Sequence, residues 1–135
     1  MVAYSFQKRF VEPLTTGHPA TGVVKCQTIR TPRKRHARPG ETLQLYSGMR
    51  TRHCRLITTR ECTDVRPVFL AVAAGEVHVT GWPVLNSADA LDAFAQNDGF
   101  LHWDDLAAFW RATHPEASDP EMGFEGILIM WDPLS

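Results

Sequence analysis

Lys25, Thr28 and Arg30 stand within six residues of one another in the stretch KCQTIR. A neutral lysine can take the proton of a hydroxyl, the alkoxide that results is a nucleophile, and a nearby guanidinium can hold the anion that forms. The set could therefore carry acyl-transfer chemistry. Its spacing imposes a condition. Residues i and i+3 of a regular strand face opposite sides, so Lys25 meets Thr28 only if the chain bends between them or Lys25 lies just before the strand. Without that condition, Lys25 is a solvated lysine and Thr28 an ordinary strand threonine. A second candidate is NDGF, residues 97–100. Asp98-Gly99 is a turn signal, and Asn97 or Asp98 can equally serve as capping residues.

The elements that must position these residues follow from periodicity. Phe6, Phe10 and Leu14 recur every four residues and predict a short amphipathic helix over 6–13, ended by Pro13 and the run TTGHPATG. KCQTIR alternates and predicts a short strand. TPRKRHARPGE, with two prolines, a glycine and a cluster of basic residues, predicts a loop. TLQLYSG and HCRLITT read as strands, and VRPVFLAVAAGEVHVTG as strand broken near Ala74–Gly75. Ser87 is placed to cap a helix bearing Leu91, Phe94 and Ala95 on one face. HWDDLAAFWRATHP puts Trp103, Leu106, Ala107 and Trp110 on one helical face, opens with acidic residues and is stopped by Pro115. FEGILIMWD is a last apolar strand, and the tryptophans are expected in the core. This order predicts an α+β domain built on a small, barrel-like, mixed or antiparallel sheet.

Composition sets the frame. The 135 residues, 44% hydrophobic and 21% charged, predict one domain spanning 1–135 with a core that needs no metal or disulfide. No apolar run approaches a membrane span, and MVAYSFQKRF has no apolar signal-peptide region, so no membrane partner and a cytoplasmic location are expected. Cys26, Cys54 and Cys62 form no CxxC, and free thiols are expected. His53, Cys54 and Cys62 lack a fourth ligand at a zinc-site spacing. Charge is split. Residues 1–60 hold twelve Lys/Arg and two Asp/Glu, whereas residues 61–135 hold two and thirteen, for a net charge of -1. Such asymmetry points to an anion-facing side that meets nucleotide or nucleic acid, or simply to two halves that pair with each other.

Taken together, FQKRF, KCQTIR, RPGETLQLYSGMRT and NDGF before a Trp-rich helix resemble the ASCH domain family, from about Tyr4 to Trp131. The resemblance implies a PUA-like small β-barrel with flanking helices, related to modules that bind RNA. It also implies the activity of small bacterial members that hydrolyse N4-acetylcytidine to cytidine and acetate. Their lysine and threonine fall on Lys25 and Thr28, and their acid falls on Asp98. The family acid is a glutamate, so this chain is one methylene, about 1.5 Å, shorter there.

On that reading Thr28 attacks the amide carbonyl or holds the water that does. Lys25 takes the proton, Asp98 orients Lys25 or the base edge or carries the proton to the leaving amine, and Arg30 holds the oxyanion or ribose. Arg35, Tyr46 and Arg50 are the further candidates for substrate contact. No cofactor or metal is expected, and the chain is expected to be a monomer or weak homodimer. The alternative is an RNA-binding module with or without ribonuclease activity, its loop Thr31–Arg38 on phosphates and Tyr46 or Trp82 stacked on a base. A regulatory module without chemistry is the third.

Overall fold

A computed structural model describes residues Met1–Ser135. The chain forms six strands and three α-helices, in the order β1 (Val2–Phe6), α1 (Val11–Thr15), β2 (Gln27–Arg30), β3 (Thr42–Ser47), β4 (Arg55–Ala71), β5 (Glu76–Val79), α2 (Ala88–Asn97), α3 (Trp103–Thr113) and β6 (Phe124–Trp131). Short 3-10 turns precede α1, at Lys8–Phe10, and follow α3, at Pro115–Ser118. The fold is mixed α+β. No helix is long and apolar enough to cross a membrane.

The strands lie in the order β1-β3-β4-β6-β2, with β5 on β4. β1 runs parallel to β3, and every other pair is antiparallel. β4 is the spine. Its first part, Arg55–Glu61, pairs with β3, and the stretch from Cys62 to Leu70 pairs with β6, with a register shift between Cys62 and Asp64. Two strands were expected across this region, one beginning at HCRLITT and one at VRPVFL. They are one element because each half serves a different neighbour.

The expected barrel is not closed by backbone pairing: no ladder joins the edge strands β1 and β2. A side chain crosses the seam instead. Arg30 at the end of β2 donates from Nη2 to the carbonyl of Ser5 on β1 at 2.8 Å.

The expected N-terminal helix over 6–13 is replaced by strand β1, a turn and the later helix α1. Tyr4 and Phe6 alternate into the core from β1, in register with Leu45 and Ser47 of β3. Phe6, Phe10 and Leu14 all face that core, from a strand, a turn and a helix in succession, which produces the spacing of four. Pro13 does not end α1. It is the third helical residue, where an N–H has no partner within the helix.

Leu43, Leu45, Leu70, Leu128 and Ile129 of the sheet share one buried core with Leu91 and Phe94 of α2 and Leu106 and Trp110 of α3. Ser87 caps α2, its side chain accepting from the Ala90 N–H at 3.2 Å. Trp110 and Trp131 are buried, whereas Trp82 and Trp103 are half-buried at the edge of the core. The loop after β2 is pinned by Tyr4, whose hydroxyl bonds His36 Nδ1 at 2.9 Å and accepts from the Ala37 N–H at 3.1 Å.

Candidate active site

Lys25 lies two residues before β2, not within it. Its backbone N–H donates to the Pro13 carbonyl at 2.8 Å, and its carbonyl accepts from Trp131 Nε1 at 3.1 Å. These anchors free Lys25 from strand alternation, which meets the condition for sharing a site with Thr28. Its side chain is only 2% exposed. The ammonium donates to the backbone carbonyl of Asp98 and lies 3.8 Å from Asp98 Oδ1.

Asp98 terminates α2 through its backbone N–H, which donates to Phe94 and Ala95. Its carboxylate caps no helix. It faces Lys25 and accepts from Gln27 Nε2 at 3.4 Å. A further bond, from the Cys26 N–H to the Asn97 carbonyl at 2.9 Å, ties the lead-in of β2 to the same helix end. Gly99 then turns the chain with φ 95°, and a Cβ there would stand 2.9 Å from Lys25 Cδ and 3.1 Å from the Phe10 ring. Gly99→Ala should therefore push Lys25 out of place as well as strain the backbone. We expect an unfolding free energy lower by about 1 kcal/mol or more in urea titration, together with a loss of any activity that depends on Lys25.

Thr28 is buried, and its Oγ1 accepts from Arg30 Nε at 3.1 Å. That leaves the hydroxyl its proton and one lone pair. The Arg30 guanidinium lies 4.7 Å from the Phe6 ring centroid, and Lys25 Nζ lies 4.8 Å from that of Phe10, so both cations rest on aromatic faces. Lys25, Thr28, Arg30 and Asp98 line one cavity of about 310 Å³, which Phe10, Phe100 and Phe109 help to enclose. The cavity lies at the seam between β1 and β2, with Ser5 and Phe6 on one side and Thr28 to Arg30 on the other.

Burial sets the electrostatics. It lowers the Lys25 pKa to about 8; Arg30 lowers it further, while Asp98 is the largest influence opposing the shift. It raises the Asp98 pKa, against the pull of Lys25, Gln27 and Arg30. Arg30 falls to about 10, chiefly from burial, and stays charged at neutral pH. An amine pushed down and a carboxyl pushed up thus share one cavity. Such opposed shifts mark acid–base pairs. With a hydroxyl and a fixed guanidinium beside them, the arrangement can take a proton from a nucleophile, hold an oxyanion and return a proton to a leaving group.

Three of the residues put forward for substrate contact lie elsewhere. Arg35 is exposed and paired with Glu41 at 2.7 Å, Tyr46 is half-buried on β3, and Arg50 is exposed at φ 68° between β3 and β4; none lines the cavity. Conversely, Gln27 and the aromatic walls escaped sequence reasoning. A glutamine next to the candidate threonine was the only available signal for Gln27, and β2 buries successive residues on both of its faces. No group of three or more His, Cys, Asp or Glu side chains is placed to hold a metal ion. No protein-family model, curated protein or solved structure matches the chain.

Proposed function

We propose that the protein is an amidohydrolase that cleaves the N4-acyl amide of an acylated cytosine nucleoside, releasing cytidine and, from the acetyl compound, acetate. The observation that carries the proposal is the burial of Lys25 and Asp98 as an oppositely shifted pair in the same small cavity as the Thr28 hydroxyl. The ASCH resemblance supplies the substrate class. A volume of about 310 Å³, at the lower end of small-molecule sites, suits a single base with its acyl group.

In the proposed reaction the Thr28 Oγ attacks the acyl carbonyl carbon as neutral Lys25 takes the hydroxyl proton. Arg30, already bonded to Thr28 Oγ1, holds the negative charge that develops. The carbon–N4 bond then breaks, and the amine leaves with the proton that Lys25 took, passed directly or through Asp98, which returns Lys25 to its neutral form. Water, activated by the same lysine, hydrolyses the threonine ester and releases the acid. If Thr28 instead positions the water, the proton steps are unchanged and no ester forms. Incubation of the purified protein with N4-acetylcytidine, followed by chromatography, tests the proposal; absence of cytidine defeats it. Thr28→Ser should keep part of the activity. Thr28→Ala should lose about a hundredfold or more in kcat if the hydroxyl is the nucleophile.

A second reading, an RNA-binding module, is favoured by the exposed Arg33, Lys34 and Arg38, none of which is paired with a carboxylate. Changing these three to Ser should abolish RNA retention if the loop grips phosphates. It should leave hydrolysis of the uncharged nucleoside within several-fold of the original. Loss of both would make the loop part of the cavity's function. Retention that is unchanged and insensitive to salt would dismiss RNA binding by the loop.

A further inference from the structure

A second concavity, of about 1350 Å³, lies along β1, α1 and the β3–β4 hairpin. It shares Ser5, Phe6 and Gln7 with the cavity that holds Lys25, so the two meet at the β1 edge. Its cations are Lys8, Arg52 and Arg55, with His53 between the two arginines, and its one carboxylate is Glu12. Lys8, Arg52 and Arg55 are exposed, and none is within ion-pair distance of an acid. That sets them apart from Arg35 and Arg66, which are matched to Glu41 and Asp64.

The sheet register fixes where this charge stands relative to the cavity. Phe6 pairs with Ser47, and Ser47 pairs with Arg55, so Arg55 lies two strand spacings, about 10 Å, across the sheet from the cavity wall. Lys8 lies two residues along the chain from Phe6. The small cavity can enclose a base and its acyl group, which leaves the sugar and whatever it carries at the Ser5–Gln7 rim. From there the groove, with an excess of unpaired cations, is the adjoining space.

We propose that this groove is a phosphate subsite, and that the preferred substrate of the cavity is an acylated cytosine nucleotide whose ribose phosphate is held by Lys8, Arg52 and Arg55. The proposal rests on the amidohydrolase reading for its base and extends it to a charged substrate. Arginine suits the task because its planar fork can bond two phosphate oxygens at once. The same chemistry serves a free nucleotide or a nucleotide within a single strand of RNA.

Two measurements test it. The first compares kcat/KM for N4-acetylcytidine, its 5′-monophosphate and a short single-stranded RNA carrying one N4-acetylcytidine, at low and at moderate salt. The phosphorylated substrates should exceed the nucleoside by about tenfold or more, the effect of one good charged hydrogen bond. That advantage should shrink as salt rises. Preference for the monophosphate identifies the free nucleotide, and preference for the strand identifies RNA. In Arg52→Ser/Arg55→Ser, and more weakly in Lys8→Ser, the ratio of nucleotide to nucleoside should fall towards one. The second titrates cytidine 5′-monophosphate, which has no amide to cleave, against the original chain and the same variants. Its binding should weaken about tenfold or more in the double variant. Equal use of nucleoside and nucleotide, or binding of cytidine 5′-monophosphate that ignores the three substitutions, overturns the subsite. If no acylated substrate is cleaved but binding of the monophosphate still depends on Arg52 and Arg55, the amidohydrolase reading falls and the phosphate subsite stands.

Discussion

Lys25→Arg is expected to lower kcat/KM for N4-acetylcytidine by about a thousandfold, within the range that a general base contributes. Charge is conserved in this substitution, but the proton acceptor is lost, because a guanidinium stays protonated at any working pH. On the proposed reaction, the unsubstituted protein should reveal the same group in its pH profile. Lys25 must be neutral to act as a base, and burial brings its pKa down to about 8. Activity should therefore climb with pH through about 8 and level off above it, where an unburied lysine would defer the rise to about 10.4. Arginine is also larger, in a cavity already closed by aromatic rings, so Lys25→Met serves as the partner variant: it fits the space, carries no base and should be equally inactive. Folding of both is checked by near-ultraviolet circular dichroism. Turnover by folded Lys25→Arg at the original rate would make Lys25 an electrostatic clamp and remove proton abstraction from the scheme.

Asp98→Asn should cost about a hundredfold or more, and Asp98→Glu should equal or surpass the original. The asymmetry comes from one distance. The Asp98 carboxylate stops 3.8 Å from Lys25 Nζ, beyond direct hydrogen-bonding range. One added methylene, about 1.5 Å, can close that gap. Asparagine keeps the shape and still accepts from Gln27, but it cannot hold or deliver a proton. Because burial raises the Asp98 pKa, the acid is able to keep its proton at a pH where an exposed carboxyl has lost it. Parallel kcat and KM measurements on the two variants decide the matter. A fully active Asp98→Asn would leave this residue no role beyond ending α2.

Residue type and spacing put Lys25, Thr28 and Arg30 forward only weakly, the family resemblance gave them roles, and the strand-alternation rule stated what their meeting would require. The lead-in held by Pro13 and Trp131 supplies it. What local pattern could not carry was pairing at long range. β1 is five residues long, and its partner β3 begins some forty residues later in a parallel ladder, so no hairpin turn advertises it. Its inward Phe6 instead imitates the first turn of a helix. β4 reads as two strands because the polar run from Arg60 to Asp64 interrupts the apolar pattern where the strand passes from one partner to the other. Closure of the sheet is equally invisible in the sequence, because it depends on whether two edges meet. Arg35, Tyr46 and Arg50 stood out by charge or aromatic character alone, and strand register, not residue type, decides which side chains reach the cavity.

The position of β1 at the outside of the sheet has a consequence for inactivation. Proteins open locally in cooperative units, and an element held by one ladder has less backbone pairing to lose than a central strand. β1 pairs only with β3, and across the seam the Arg30 side chain takes the place of a second ladder. When β1 detaches, Ser5 and Phe6 leave the cavity and the groove in one event, while β4, β6 and both long helices keep their own partners. Heat should therefore abolish the proposed activity before the far-ultraviolet signal collapses. A bound ligand that bridges Arg30 and β1 would slow amide exchange in β1 first, and would delay inactivation more than it delays global melting.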